Sequence, residues 1–136
     1  ILLAMGLVGS AQAVDLTHES LAGLHFGDPA ALVKRHLGKP LRESKPIMGQ
    51  ATGEMESTLE YPHLEIGLGN GKVRFLLASS PSTYATSKHV HVGDKSSQAK
   101  ASYGKLDQMD EKNYIELSMT EEKGRIVKIY LGAGPE

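Results

Sequence analysis

The sequence predicts an α+β fold in which two tandem units, each a helix plus an antiparallel meander, form one extended antiparallel sheet with the helices on one face. Three features predict it. First, Leu24-His25-Phe26-Gly27-Asp28 running to Leu37-Gly38-Lys39 recurs as Val90-His91-Val92-Gly93-Asp94 running to Tyr103-Gly104-Lys105, at a constant offset of 66 residues. A unit repeated at fixed spacing is one supersecondary module that buries its apolar face against its neighbour. Second, each copy precedes segments of alternating apolar and polar residues, the period of a half-buried strand. Third, Gly69-Asn70-Gly71 and the segment from Thr120 to Gly124 carry the turn chemistry that closes hairpins.

Taken in order, residues 1–13 read as part of a signal peptide. Ile1 to Val8 are almost wholly apolar, Gly9-Ser10-Ala11-Gln12-Ala13 ends in the small-x-small pattern of a cleavage site, and cleavage is expected between Ala13 and Val14. That apolar run is shorter than the roughly 20 residues of a membrane span, and no Cys is present to carry a lipid anchor. The expected location is periplasmic or secreted. Residues 14–80 form the first unit, 81–88 a linker and 89–136 the second unit, together one compact domain. Thr17 to Leu24 reads as a polar lead-in. Asp28 is expected as N-cap with Pro29 in the first turn, opening a helix from Ala30 to Leu37 that Gly38 stops; Asp94 and Gly104 do the same around Ala99 to Tyr103. These Gly-Asp pairs are therefore expected as scaffold, not as catalytic acids.

Residues 39–54 are punctuated by Pro40, Pro46, Gly49 and Gly53 and carry at most one edge strand, around Leu41 to Ile47. Strands follow from Met55 to Tyr61, Leu64 to Leu68 and Lys72 to Leu77, then from Tyr114 to Met119 and Arg125 to Leu131. Ser79 to Lys88 is polar and reads as an exposed connector.

Alternation divides the sheet into two faces. Leu64, Ile66, Leu68, Val73, Phe75, Leu77, Ile115, Leu117, Met119, Val127, Ile129 and Leu131 are expected in the core. Opposite parity then exposes Tyr61, His63, Glu65, Arg74, Tyr114, Glu116, Lys128 and Tyr130, with Tyr84 as a loop contact. Tyr and Arg are enriched at binding hot spots because they combine contact area with directional hydrogen bonds, so these nine residues are the candidate protein-binding site.

The tandem pattern of hydrophobic-x-hydrophobic-Gly-Asp, helix, Leu/Tyr-Gly-Lys and meander, over about residues 21 to 131, resembles the repeat of the beta-lactamase inhibitory protein family and that of SmpA/OmlA-type envelope proteins. The resemblance implies two units whose sheets align into a concave surface that grips a partner protein. The family inhibitors carry disulfides and an aromatic-rich face, whereas this chain has no Cys, no Trp and two Phe.

Composition narrows the remaining classes. A formal net charge of -1 over 136 residues provides no long-range attraction to nucleic acid or an anionic membrane. Absent Cys excludes thiolate sites and a cysteine nucleophile. Ser79, Ser80 and Ser82 lie in no nucleophile elbow, and the Gly-x-Gly-x-Gly at Gly67, Gly69 and Gly71 lies in a hairpin rather than before a helix. No catalytic function and no cofactor are expected. A metal-binding alternative uses His89 and His91, which share a face if the segment is a strand, with His63 or His36 nearby. An exported protein-binding module, such as a periplasmic inhibitor, is the function the sequence points to; a non-lipidated envelope-assembly scaffold is the other alternative.

Overall fold

The computed structural model describes residues 13–134. The expected signal segment lies outside the described residues apart from Ala13. In chain order the elements are β1 (Ser20–Leu21), β2 (Leu24–His25), α1 (Ala30–Leu37), β3 (Arg42–Glu43), β4 (Ile47–Met48), β5 (Met55–Tyr61), β6 (Leu64–Gly69), β7 (Lys72–Ser79), α2 (Ser96–Tyr103), β8 (Asp107–Asp110), β9 (Ile115–Glu122) and β10 (Arg125–Ala133). Two short helices thus accompany one eight-stranded antiparallel sheet, ordered β3-β5-β6-β7-β10-β9-β8 with β4 also paired to β5, and a separate β1-β2 ribbon. No described helix is long and apolar enough to cross a membrane.

Local chemistry sets the two longest hairpins. Asn70 and Gly71 turn β6 into β7 with φ of 51° and 78°, and Lys123 and Gly124 turn β9 into β10 with φ of 53° and 78°. Two successive positive φ values give the turn whose twist matches that of the flanking strands, and Gly bears the second without a Cβ clash.

Each helix is then pinned to one of these turns. The Gly27 N–H donates to Val73 O at 2.8 Å, Val73 N–H to Asp28 O at 2.8 Å, and Ala30 N–H to Gly71 O at 2.9 Å. In the other half, Gly93 donates to Ile126 O at 2.8 Å, Ile126 to Asp94 O at 2.9 Å, and Ser96 to Gly124 O at 2.8 Å. Asp28 and Asp94 are not the N-caps that the sequence suggests. Pro29 and Lys95 occupy those positions without a side-chain cap. Each Asp instead closes the preceding loop, accepting the backbone N–H of His25 at 2.8 Å or His91 at 2.9 Å. The reason is one of distance along the chain: the helix begins one residue later than expected, and the hairpin carbonyl takes its first free N–H.

The core holds Leu59, Ile66, Leu76, Leu117, Ile129 and Leu131, all fully buried, and Val33 and Ala99 join it from the two helices. Two β-bulges correct the expected alternation. Gly67 pairs with Phe75 but Leu68 pairs with Val73, leaving Arg74 as the extra residue; Ile126 pairs with Glu121 but Lys128 with Thr120, leaving Val127 extra. One added residue moves every later side chain to the opposite face. Leu76 and Ala78 are therefore buried, while Phe75 and Leu77, expected inside, lie on the other face half-buried; Ile126 replaces Val127 in the core.

The lead-in and the connector are also more ordered than their polarity suggests. Leu16, Glu19, Leu21 and Leu24 are buried, as is Thr86 in the connector. Ala22 N–H donates to Ala85 O at 3.0 Å. The Glu19 carboxylate receives Ser20 N–H at 3.0 Å, Ser87 N–H at 2.9 Å, Ser87 Oγ at 2.6 Å and Tyr103 Oη at 2.9 Å. Burial pushes the Tyr103 hydroxyl up to about 12, so it stays a donor at neutral pH. One carboxylate thereby joins the N-terminal segment, the connector and α2.

Asp110, 1 % exposed, anchors the same segment. Its carboxylate accepts Leu16 N–H at 3.0 Å and the Asn113 backbone and side-chain N–H groups at 3.0 and 2.9 Å. Burial raises its pKa, but the hydrogen bonds from Leu16, Asn113 and Lys112 outweigh that and hold it below the usual 3.8. A depressed carboxylate adds stability above its unfolded pKa and loses it as pH falls through the folded value. Asp110→Asn should therefore lower unfolding free energy by about 1–3 kcal/mol at neutral pH, and the deficit should shrink as pH falls below 4. Urea unfolding of both proteins across that range checks it.

Candidate functional site

The sheet face opposite the core is organised by register. One cross-strand row runs from Arg42 through Glu60, Glu65, Leu77, Tyr130 and Ser118 to Asp107. The next runs from Thr58 through Gly67, Phe75, Gly132 and Glu116 to Met109. Phe75 sits between two glycines because it needs them. A Cβ at Gly67 would overlap the Phe75 ring, and one at Gly132 would overlap Phe75 Cβ and approach the Arg74 carbonyl. The ring lies across the sheet rather than standing on it, and it stacks on Tyr130 with centroids 5.9 Å apart and planes 18° apart.

Over this floor lies a groove of about 1020 Å³. Ile47, 68 % exposed, lines it from the segment between α1 and β5, and Tyr114, 64 % exposed, lines it from the loop between β8 and β9. Met48 is 59 % exposed beside Ile47. Isolated exposed apolar residues are ordinary, whereas Ile47 and Tyr114 both stand at one largely apolar groove. Arg74 and Glu54 form a two-pronged ion pair at the groove wall, with Nε 2.8 Å from Oε1 and a second contact from Nη2 to Oε2. The Arg74 hydrogen bond holds the Glu54 carboxyl below its usual value, and Glu54 in turn raises that of Arg74. The guanidinium also lies 5.6 Å from the Phe26 ring centre.

Of the nine sequence-predicted residues, Glu65, Arg74, Glu116, Lys128 and Tyr130 share this face, and Tyr114 stands at its groove. Tyr130 donates to Ala133 O at 2.8 Å, and burial, with Glu116 nearby, raises its hydroxyl pKa. His63 lies at the β5-β6 turn with φ 58°, beside a smaller hollow of about 200 Å³ that Glu60, Glu65 and Leu77 also line. Tyr84 is half-buried against the core and donates to Pro62 O at 3.0 Å.

Tyr61 is the correction. It pairs with Leu64 across β5 and β6, so it shares the core face with that residue. It is buried and donates to Gly38 O at 2.8 Å, where burial raises its pKa. The missed residues are Phe75, Ile47 and Glu54. Phe75 was hidden by the bulge, but glycines alternating at Gly67 and Gly69 within one strand were a signal of close approach from above.

His89 and His91 do not form the strand pair that the metal-binding alternative requires. His89 occupies a turn with φ 66°. His91 has Nδ1 3.0 Å from Val92 O and Nε2 3.2 Å from Asp94 Oδ1, so both ring nitrogens face oxygen. Among the described residues no three His, Asp or Glu side chains are grouped as metal ligands. No protein-family model, curated protein or solved structure matches this chain.

Two substitutions separate scaffold from surface. Tyr61→Phe should cost about 0.5–1.5 kcal/mol through the lost Gly38 bond and leave the groove unchanged. Gly132→Ala should cost about 1–3 kcal/mol, because its new methyl meets backbone-level atoms of Phe75 and Arg74 that have no room to shift. Thermal unfolding followed by circular dichroism measures both, and a neutral Gly132→Ala would refute the packing argument.

Proposed function

We propose that this is an exported, periplasmic protein-binding module made of two tandem copies of one helix-meander unit, and that it grips a partner protein through the open sheet face and its groove. The observation that carries the reading is the apolar groove floored by Phe75 and flanked by exposed Ile47 and Tyr114. Support for the repeat comes from matching hydrogen bonds. The loop closures at Asp28 and Asp94, the helix ties to Gly71 and Gly124, and the bulges at Arg74 and Val127 occur at corresponding places in both halves. The resemblance to the beta-lactamase inhibitory protein repeat agrees with this use of the face, and an inhibitor is one form the activity would take. Glu65, Arg74, Tyr114, Glu116, Lys128 and Tyr130 are the proposed contacts, joined by Phe75 and Ile47; Tyr61 leaves the set.

Site-specific photo-crosslinking tests the proposal. A photoreactive residue replacing Tyr114 should give a discrete protein adduct in the periplasm, whereas the same residue replacing Arg35, exposed on α1, should not. Adducts of equal yield from both positions, or none from position 114, would refute it.

A further inference from the structure

The two halves provide an internal comparison that says what the open face accepts; the inference rests on the docking reading above and deepens it. With Val73 set against Ile126, the bulged residues Arg74 and Val127 coincide, and Gly67, Gly69 and Phe75 fall against Thr120, Glu122 and Lys128. Both hairpins keep the same ladder around these positions, so the ladder does not demand the difference. The first half carries small residues and an aromatic ring where the second carries a hydroxyl and two charges. The segment between helix and meander differs as well: it is residues 39–54 in the first half and only residues 105–106 in the second. The longer segment is what brings Ile47 over the floor.

The groove lines residues from β5, β6 and β7 and reaches the end of β10. At a strand spacing of about 4.8 Å it crosses about 14 Å, the length of about four extended residues at ~3.3 Å each. Its floor suits an apolar side chain. The two rows that hold Tyr130 and Phe75 are unbalanced in charge, with the acids Glu60, Glu65, Asp107 and Glu116 and one base, Arg42. Arg74 is engaged by Glu54 and Arg42 lies 4.0 Å from Glu60, whereas Glu65, Glu116 and Asp107 have no cation within 4.0 Å among the described residues. Lys128 and Lys72 on that face and Lys45 at the groove have no carboxylate within 4.0 Å among the described residues, and all three lie outside those two rows. Like-charged Glu60 and Glu65 are direct cross-strand partners, an unfavourable pairing that Arg42 relieves at Glu60 and leaves unrelieved at Glu65.

We infer that the occupant is an extended segment of a partner protein that lays an aromatic or branched apolar side chain over Phe75 and sets a flanking Lys or Arg against Glu65 or Glu116. Charge complementarity of this kind fixes orientation and accelerates encounter more than it adds affinity.

Selection of short random peptides displayed on phage against the intact protein tests it. Enriched peptides should carry an aromatic or branched residue next to Lys or Arg, and their binding should weaken as salt rises. Glu65→Gln with Glu116→Gln should lower their affinity about tenfold, a loss of about 1.4 kcal/mol, and Tyr114→Ala should do so independently. Both changes lie on exposed or half-exposed side chains, and unchanged melting temperatures verify that folding is intact. An acidic consensus, no enrichment, or binding indifferent to all three substitutions overturns the inference. If crosslinks at position 114 persist alongside any of those results, the docking surface stands and only its basic-apolar occupant falls.

Discussion

Five residue pairs, from Lys128 with Ser79 to Gly132 with Phe75, tie β7 to β10 and make one sheet from two meanders. On one side of that seam Leu76, Ala78, Ile129 and Leu131 are completely buried; at about 1.5–3 kcal/mol for each large aliphatic side chain, they form the apolar joint between the halves. On the other side the same seam stacks Phe75 on Tyr130 and sets Phe75 against Gly132. Core and groove floor are two faces of a single pairing. A shift of register by one residue would exchange them, and the groove would vanish along with the core.

Polar groups hold the periphery to that joint. The first free helix N–H groups go to hairpin carbonyls at Gly71 and Gly124, so each helix is located by the turn below it rather than by its own cap. The N-terminal segment is located by two carboxylates, Glu19 and Asp110, each surrounded by donors and neither within salt-bridge distance of a cation among the described residues. A buried carboxylate that is fully hydrogen-bonded specifies one arrangement of its donors. These two hold Leu16 to Leu21 against α2, the connector and β8, parts of the chain about seventy to ninety residues away in sequence.

Much of the fold was legible in the chain. The helix ends at Gly38 and Gly104, the hairpin turns and five of the longer strands follow from glycine stops, Asn-Gly and Gly turn signals and alternation. What failed did so for identifiable reasons. Alternation is counted residue by residue, so a bulge at Arg74 or Val127 reverses it without any local mark in composition; Phe75, Leu77 and Val127 were misplaced by that one step. Tyr61 was grouped by parity with residues across a turn, where parity restarts. The polar lead-in concealed Glu19, because a carboxylate that will be buried among donors looks the same in sequence as one that will be solvated. β8 has the composition of a loop, Asp107-Gln108-Met109-Asp110, and is a strand because β9 offers it an edge.

The surface was legible only in part for a related reason. Charged and aromatic residues on a strand announce themselves, and Glu65, Arg74, Glu116, Lys128 and Tyr130 do share a face. A groove, however, is made by what is missing. Gly67, Gly69 and Gly132 contribute no side chain; their effect is to let Phe75 lie flat and Arg74 fold back onto Glu54. Had Ala stood at Gly67, the ring would be forced upright and would fill the volume it now floors. The depth of the open face therefore depends on glycines in mid-strand, each costing roughly 0.5–1 kcal/mol relative to Ala. Corresponding positions in the second half bear Thr120 and Glu122 on an equivalent ladder, so the ladder can be built without glycine at those two places. What glycine there makes possible is the smooth aromatic floor, and that is why the first half, with its longer segment above, holds the groove.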